Sequence, residues 1–151
     1  MLESQITASR MFYNANKFRD AYQIAIQPLC EETGLPQTAV DILLFLANNP
    51  DYDTARDICR CRGLKPGLVS FHVDRLVSEG FLERRGIPGD RRKTGLAPTP
   101  KAQPIIDRGR LLQKTFAARL LAGLSQEDLD HFFRCLSAFD RNIESIRKTG
   151  L

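Results

Sequence analysis

No apolar run in this chain approaches the ~20 residues that a bilayer-spanning helix needs, which argues against a membrane protein. The opening residues MLESQITASR lack a basic start followed by an apolar stretch. No secretory signal is therefore expected, and the cytoplasm is the expected compartment. Internal repeats and low-complexity segments are also missing. There are only four cysteines and two histidines. Cys59-Arg60-Cys61 is one close cysteine pair, but the paired two-spaced motif of a zinc site is lacking. Positions i and i+2 on a helix also point apart. No nucleophile–base pairing, phosphate-cradling glycine loop or paired-carboxylate motif is found. An enzyme, a metal site and a cofactor are therefore not expected. In a reducing compartment the thiols stay free. Inert, partly buried thiols are the expected state, and the alternative is a thiol-based redox-sensing regulator acting through Cys30 and Cys59 or Cys61.

What is present points elsewhere. The 151 residues are 42% apolar and 26% charged, enough for one domain with a core that needs no disulfide. Charge is uneven along the chain. Thr54–Lys101 holds 11 Lys/Arg against 5 Asp/Glu, a net of +6, while the remainder carries a net of −2. A local excess of this kind is the footprint expected of a nucleic-acid-binding surface.

The same stretch carries a recognisable pattern. Thr54 fits a helix N-cap, with Asp57 three residues on completing a capping box, and the short helix that follows should reach about Arg62. Ile58 and Ala55 are its expected inward residues. Gly63 then breaks the chain, and Pro66 suits the first turn of a second helix that Gly80 stops. Val69, Val73 and Leu76 recur at helical spacing and define a core face. Gly67, Leu68, Phe71, Asp74, Arg75 and Ser78 fall on the opposite face, free to enter a major groove. His72 lies at the core edge, where a hydrogen-bonded histidine is expected. A strand-like FLERRG, the turn Ile87-Pro88-Gly89-Asp90, three cations Arg91-Arg92-Lys93 and a return segment Thr94–Thr99 follow as a hairpin wing. Gly95 and Pro98 predict a poor return strand.

The flanks are helical. Leu2, Ile6, Phe12, Phe18, Tyr22, Ala25 and Leu29 predict a helix from residue 3 to about 30, closed at Gly34. Pro36 opens a buried helix with Val40, Leu43, Leu44, Phe45 and Leu46 as its apolar body, ending at Asn48-Asn49-Pro50. Thr99-Pro100 reads as a capping hydroxyl followed by proline, with Pro104 forcing a start near Gln103 or a bend. Ile105, Leu112, Phe116, Leu120 and Leu121 form the stripe of that helix. A last helix from Ser125 carries Leu129, Phe132, Phe133, Leu136, Phe139, Ile143 and Ile146 at steps of three and four. The terminal helices have little of their own domain to cover them, so they are expected to form a dimer interface.

From about Gly34 to Ala102 the chain resembles the MarR family of bacterial transcriptional regulators. GLPQTAVDILLFLANNP resembles the helix before that family's DNA-binding unit. LKPGLVSFHVDRLVSEGFLERR aligns without gaps to its recognition helix and first wing strand. Asp90-Arg91-Arg92 matches its wing signature, and Thr99 sits where its Leu-Thr helix start falls. The chain departs from the family where Ser-Thr is replaced by Gly67-Leu68, where arginine is replaced by Phe71, and at Pro98 and Ala102. The base-reading residues therefore do not carry over.

The expected fold class is mainly α: a winged helix-turn-helix with a small β-hairpin wing, flanked by N- and C-terminal dimerisation helices. One domain would span 1–151, with the DNA-binding lobe at 36–100 and the dimerisation lobe at 1–34 and 101–151. The resemblance implies a homodimer on a near-palindromic duplex operator and a small aromatic ligand as effector. Backbone contacts are expected from Arg56, Arg60, Lys65, Arg91, Arg92 and Lys93, and Thr54 and Arg75 are further DNA-binding candidates. The resemblance implies that Asp90 pairs with an arginine and that Arg91 reaches the minor groove. Base contacts are expected from Gly67, Leu68, Ser70 and Phe71, where apolar side chains suit thymine methyls better than bidentate arginine contacts do. The rival reading is a winged helix used as a protein-interaction module.

Overall fold

The computed structural model describes residues 7–151, with the side chains of Ile87, Arg91, Arg92 and Lys93 outside the description. Thr7 caps the first helix, α1 (Ala8–Thr33), by accepting from the Arg10 N–H, and Gly34 closes it at φ 71°. The expected contributions of Leu2 and Ile6 lie outside the described residues. Phe12 and Phe18 are exposed, and the helix enters the core through Ile26 and Leu29 near its end, with Tyr22 and Cys30 packed half-buried beside them. Helix α2 (Gln37–Asn48) follows Pro36 and buries Ala39, Val40, Ile42, Leu43, Leu44 and Leu46. It forms the centre of the core.

Both caps of α3 (Ala55–Arg62) were legible. Thr54 and Asp57 form the reciprocal capping box, and Gly63 adopts the left-handed φ of 63° that ends the helix. Ile58 is buried as expected, but Ala55 is exposed, because it sits in the first turn on the solvent side. Helix α4 (Pro66–Ser78) starts on Pro66 and buries Val69, His72, Val73 and Leu76. It packs on α2, α3 and the first wing strand.

The wing is a two-stranded antiparallel sheet, β1 (Leu82–Ile87) and β2 (Asp90–Pro98). Leu82 pairs with Pro98 and Gly86 with Thr94, and then the register shifts so that Ile87 pairs with Asp90. Arg91–Lys93 are the residues between those two pairings. The return strand is better formed than Gly95 and Pro98 suggest. Pro98 closes the ladder at its end, where a missing N–H costs little. Gly95 is buried, and a Cβ there would lie 2.8 Å from Asp53 Oδ2. The neighbouring Leu96 N–H donates to the Asp53 carbonyl at 2.7 Å. The glycine therefore makes room for the segment that crosses the strand.

Wing, recognition helix and the chain beyond are joined by a compact junction. The Phe81 N–H donates to the Leu76 carbonyl and the Thr99 N–H to the Phe81 carbonyl. Thr99 Oγ1 donates to the Gly80 carbonyl at 2.5 Å, Lys101 Nζ donates to the Glu79 carbonyl at 2.6 Å, and that ammonium lies 4.5 Å from the Phe81 ring centroid. Thr99 was expected to cap a helix. Its hydroxyl is spent on this junction instead, and no side-chain cap is made. A single 3-10 turn at Pro100–Ala102 intervenes before α5 (Gln103–Leu120). Pro104 thus falls in the first turn of α5, where it removes no bond. The core face is Ile106 and Gly109, and Ile105 is only half-buried.

One compact unit runs to Lys114 and a second spans Thr115–Leu151. The second holds α6 (Gln126–Thr149), opened by the Ser125–Asp128 capping box. Its aromatic and aliphatic row is present as expected, but none of its residues is buried. Among the described residues no helix is long and apolar enough to cross a membrane.

Candidate nucleic-acid interface

The exposed surface of the helix-turn-helix is built from both its helices. Thr54 is held by its cap: Oγ1 accepts from the Asp57 N–H at 3.1 Å and donates to Asp57 Oδ2 at 2.6 Å. Arg56 and Arg60 follow on one face of α3, four residues apart, and both are exposed. Arg60 lies 3.4 Å from Asp57 Oδ1, and its guanidinium is 6.0 Å from the Tyr52 ring centroid. Arg62, the last residue of α3, is engaged within the chain. It pairs with Asp41 of α2 at 3.4 Å, across 21 residues of sequence. Lys65 precedes α4 and is exposed.

On α4 the outward face is the one the helical wheel gives. Gly67, Leu68, Ser70, Phe71, Asp74, Arg75 and Ser78 are all exposed. Two of its charges are engaged within the chain. Arg75 Nε donates to Glu79 Oε1 at 2.9 Å, one turn on, and Asp74 accepts from Arg84 of β1. The Asp74–Arg84 pair was not foreseen. The partners are ten residues apart and meet only because β1 folds back beside α4. Arg85 pairs with Glu83 on β1. Asp90 is half-buried at the start of β2, and the expected contacts of Arg91, Arg92 and Lys93 lie outside the described side chains.

His72 departs from expectation. It is 7% exposed, and its Nδ1 has no hydrogen-bond partner among the described residues. Burial, reinforced by Arg75, pushes its pKa below the ordinary histidine value. The unfolded chain therefore takes up a proton first as pH falls through about 6.5, so stability should fall there and level off below the folded-state pKa. Melting temperatures at several pH values should show this drop for the wild type. The drop should shrink in His72→Leu, and identical profiles for the two proteins would refute it.

A polar cleft of about 110 Å³ lies among Tyr22, Asp41, Phe45, Asn48, Arg62 and Gln113. Gln113 Nε2 donates to the Tyr22 hydroxyl at 2.9 Å, and Asn48 Nδ2 donates to Gln113 Oε1 at 3.0 Å. Burial raises the Asp41 carboxyl pKa, and Arg62 opposes the shift. The cleft is well short of the roughly 300–1,000 Å³ of a pocket that encloses a drug-sized ligand.

The thiols divide by exposure. Cys30 and Cys59 are half-buried, while Cys61 and Cys135 are exposed rather than partly buried. Burial pushes the Cys30 thiol pKa up, which lowers its thiolate fraction and its reactivity. Among the described residues no group of three His, Cys, Asp or Glu is placed to hold a metal ion.

The geometry is a short helix, a turn, an outward-facing second helix and a basic hairpin. Residues 33–93 match the MarR family model. Solved structures share the architecture beyond the matched residues. A transcriptional regulator is 23% identical with a TM-score of 0.77, the match covering 91% of this chain and 97% of that one. MepR of S. aureus, solved with DNA, is 17% identical with a TM-score of 0.70, covering 92% and 98%. CouR of Rhodococcus jostii RHA1, solved with p-coumaroyl-CoA, is 19% identical with a TM-score of 0.65, covering 85% and 87%. The winged-helix architecture is that of MarR-family transcriptional regulators.

Proposed function

We propose that the chain is a homodimeric, sequence-specific regulator of transcription that binds duplex DNA. The observation that carries this is the MarR-type recognition helix α4, one face packed and one face free, set in a stretch of net charge +6. Arg56, Arg60, Lys65, Arg91, Arg92 and Lys93 supply the phosphate contacts that fix register, and the outward residues of α4 face the base edges. A bacterial regulator acting on DNA works in the cytoplasm.

The dimer reading rests on α6. Phe132, Phe133, Leu136, Phe139, Ile143 and Ile146 are each 41–50% exposed within one chain. Monomers rarely leave so large an apolar row in water. Two copies would place their recognition helices about 34 Å apart, on the half-sites of a near-palindrome. CouR was solved with an acyl-CoA that carries an aromatic group, which supports a small aromatic effector here. The Tyr22–Arg62 cleft would have to open to admit one.

The test is selection of bound duplexes from a random pool at two salt concentrations. An enriched near-palindrome, bound with a log–log salt slope of at least about −5, is expected for six or more phosphate contacts. Arg91→Ala should lower that slope by about 1 for each protomer. Recovery of no motif, with binding that vanishes at the higher salt, would sink the DNA reading in favour of a protein-interaction module.

A further inference from the structure

We infer that Leu68 and Phe71 are specificity-determining residues that read the C5-methyl groups of thymines in the major groove. This rests on the DNA-binding reading and names what the recognition helix selects.

The residues that contact base edges lie toward the N-terminal end of a recognition helix. On α4 that end offers Gly67, Leu68, Ser70 and Phe71. Leu68 is 42% exposed and Phe71 62% exposed, two large apolar side chains aimed at water on the face that meets DNA. The charged groups of the same face lie further along the helix and are already engaged. A guanine is read by an arginine fork on O6 and N7, and a cytosine by a carboxylate accepting from N4. Arg75 is drawn toward the helix C-terminus by Glu79, at 2.9 Å. Asp74 is held by Arg84 of the wing. Neither is free to read a base at the leading end.

The geometry of the apolar pair also suits this task. The Phe71 ring meets the His72 ring edge-on, with centroids 5.1 Å apart and planes at 84°. His72 is buried, so the exposed ring rests against a fixed neighbour. Gly67 carries no side chain, and a Cβ there would meet nothing within 4 Å. The first turn of α4 is therefore thin and leaves the space for close approach to the groove floor. The apolar group that distinguishes one base pair from another in the major groove is the thymine 5-methyl. Exposed Arg56 and Lys65 beside the helix bring phosphates to this face.

The experiment replaces thymidine by deoxyuridine, one position at a time, in an operator recovered by the selection. Uracil keeps the O4 acceptor and the base pairing and loses only the methyl group. The wild type should lose about fourfold in affinity for one methyl read and about fifteenfold when both half-sites are changed, from about 0.8 kcal/mol for each buried carbon. The loss should map to one or two positions in each half-site. In Phe71→Ala or Leu68→Ala, the ratio between thymine and uracil duplexes at those positions should fall to about 1, with the salt slope unchanged. Equal binding of thymine and uracil duplexes by the wild type at every position overturns the inference and leaves the DNA reading standing. Failure of the wild type to enrich any operator overturns both.

Discussion

Gly109→Val is expected to cost about 3 kcal/mol, the upper end of what overpacking a core costs. Gly109 lies on α5 against Leu44 of α2. A Cβ at this position would stand 2.9 Å from Leu44 Cδ1 and closer still to Cδ2. Leu44 is 1% exposed and sits in the centre of the core, so its methyls have no room to retreat. For a chain of this size the loss amounts to roughly 10 °C in melting temperature. Gly109→Ala separates this contact from helix propensity. Alanine is favoured over glycine in a helix interior by up to about 1 kcal/mol, so without the close approach Gly109→Ala would stabilise. Urea unfolding should show it destabilised instead. A gain in stability would show that the two helices do not meet as described.

Leu136→Asp is expected to give a monomer. Leu136 is 47% exposed in the single chain, at the middle of the α6 row that runs from Phe132 to Ile146. A carboxylate there barely disturbs one chain, because no residue of α6 is buried. In a dimer it would bring two unpaired charges into a dry seam, where desolvation costs several kcal/mol for each ion. Light scattering should report half the wild-type mass, while helical content by circular dichroism stays the same. Operator affinity should fall about 10²–10⁴-fold, since each half-site must then be bound without the effective concentration its partner provides. A wild type that is already monomeric at working concentration, or a Leu136→Asp protein that remains dimeric, would remove α6 from the interface.

Local chemistry made much of this legible in the sequence. The Thr54–Asp57 and Ser125–Asp128 boxes, the stops at Gly34 and Gly63 and the two faces of α4 depend on residues within one or two turns of each other. The misses depend on what folds back from far away. On α5, Ile105 and Leu112 pack against the core as the stripe predicts, but the deepest positions go to Ile106 and to Gly109, whose lack of a side chain lets Leu44 approach. Arg62 reads as a surface cation until α2 brings Asp41 to it. Thr99 reads as a cap until Gly80 supplies a carbonyl. On the recognition helix, exposure of Leu68 and Phe71 was predictable from periodicity. The engagement of Arg75 and Asp74 was half so: Glu79 is a helical neighbour, but Arg84 comes from the next strand.

The junction at the C-terminal end of α4 has a mechanical meaning. Glu79, Gly80 and Phe81 offer their carbonyls to Lys101 and Thr99 at the root of α5, and the wing leaves from the same point. Any torque on α5 therefore arrives at the reading helix and the hairpin together, like a handle turning a key and its collar in one motion. Slack between handle and blade is taken up by three hydrogen bonds and an ammonium resting on a ring. On the proposed DNA-binding reading, a small tilt of α5 would carry α4 and the hairpin with it as one body and would not bend them in place.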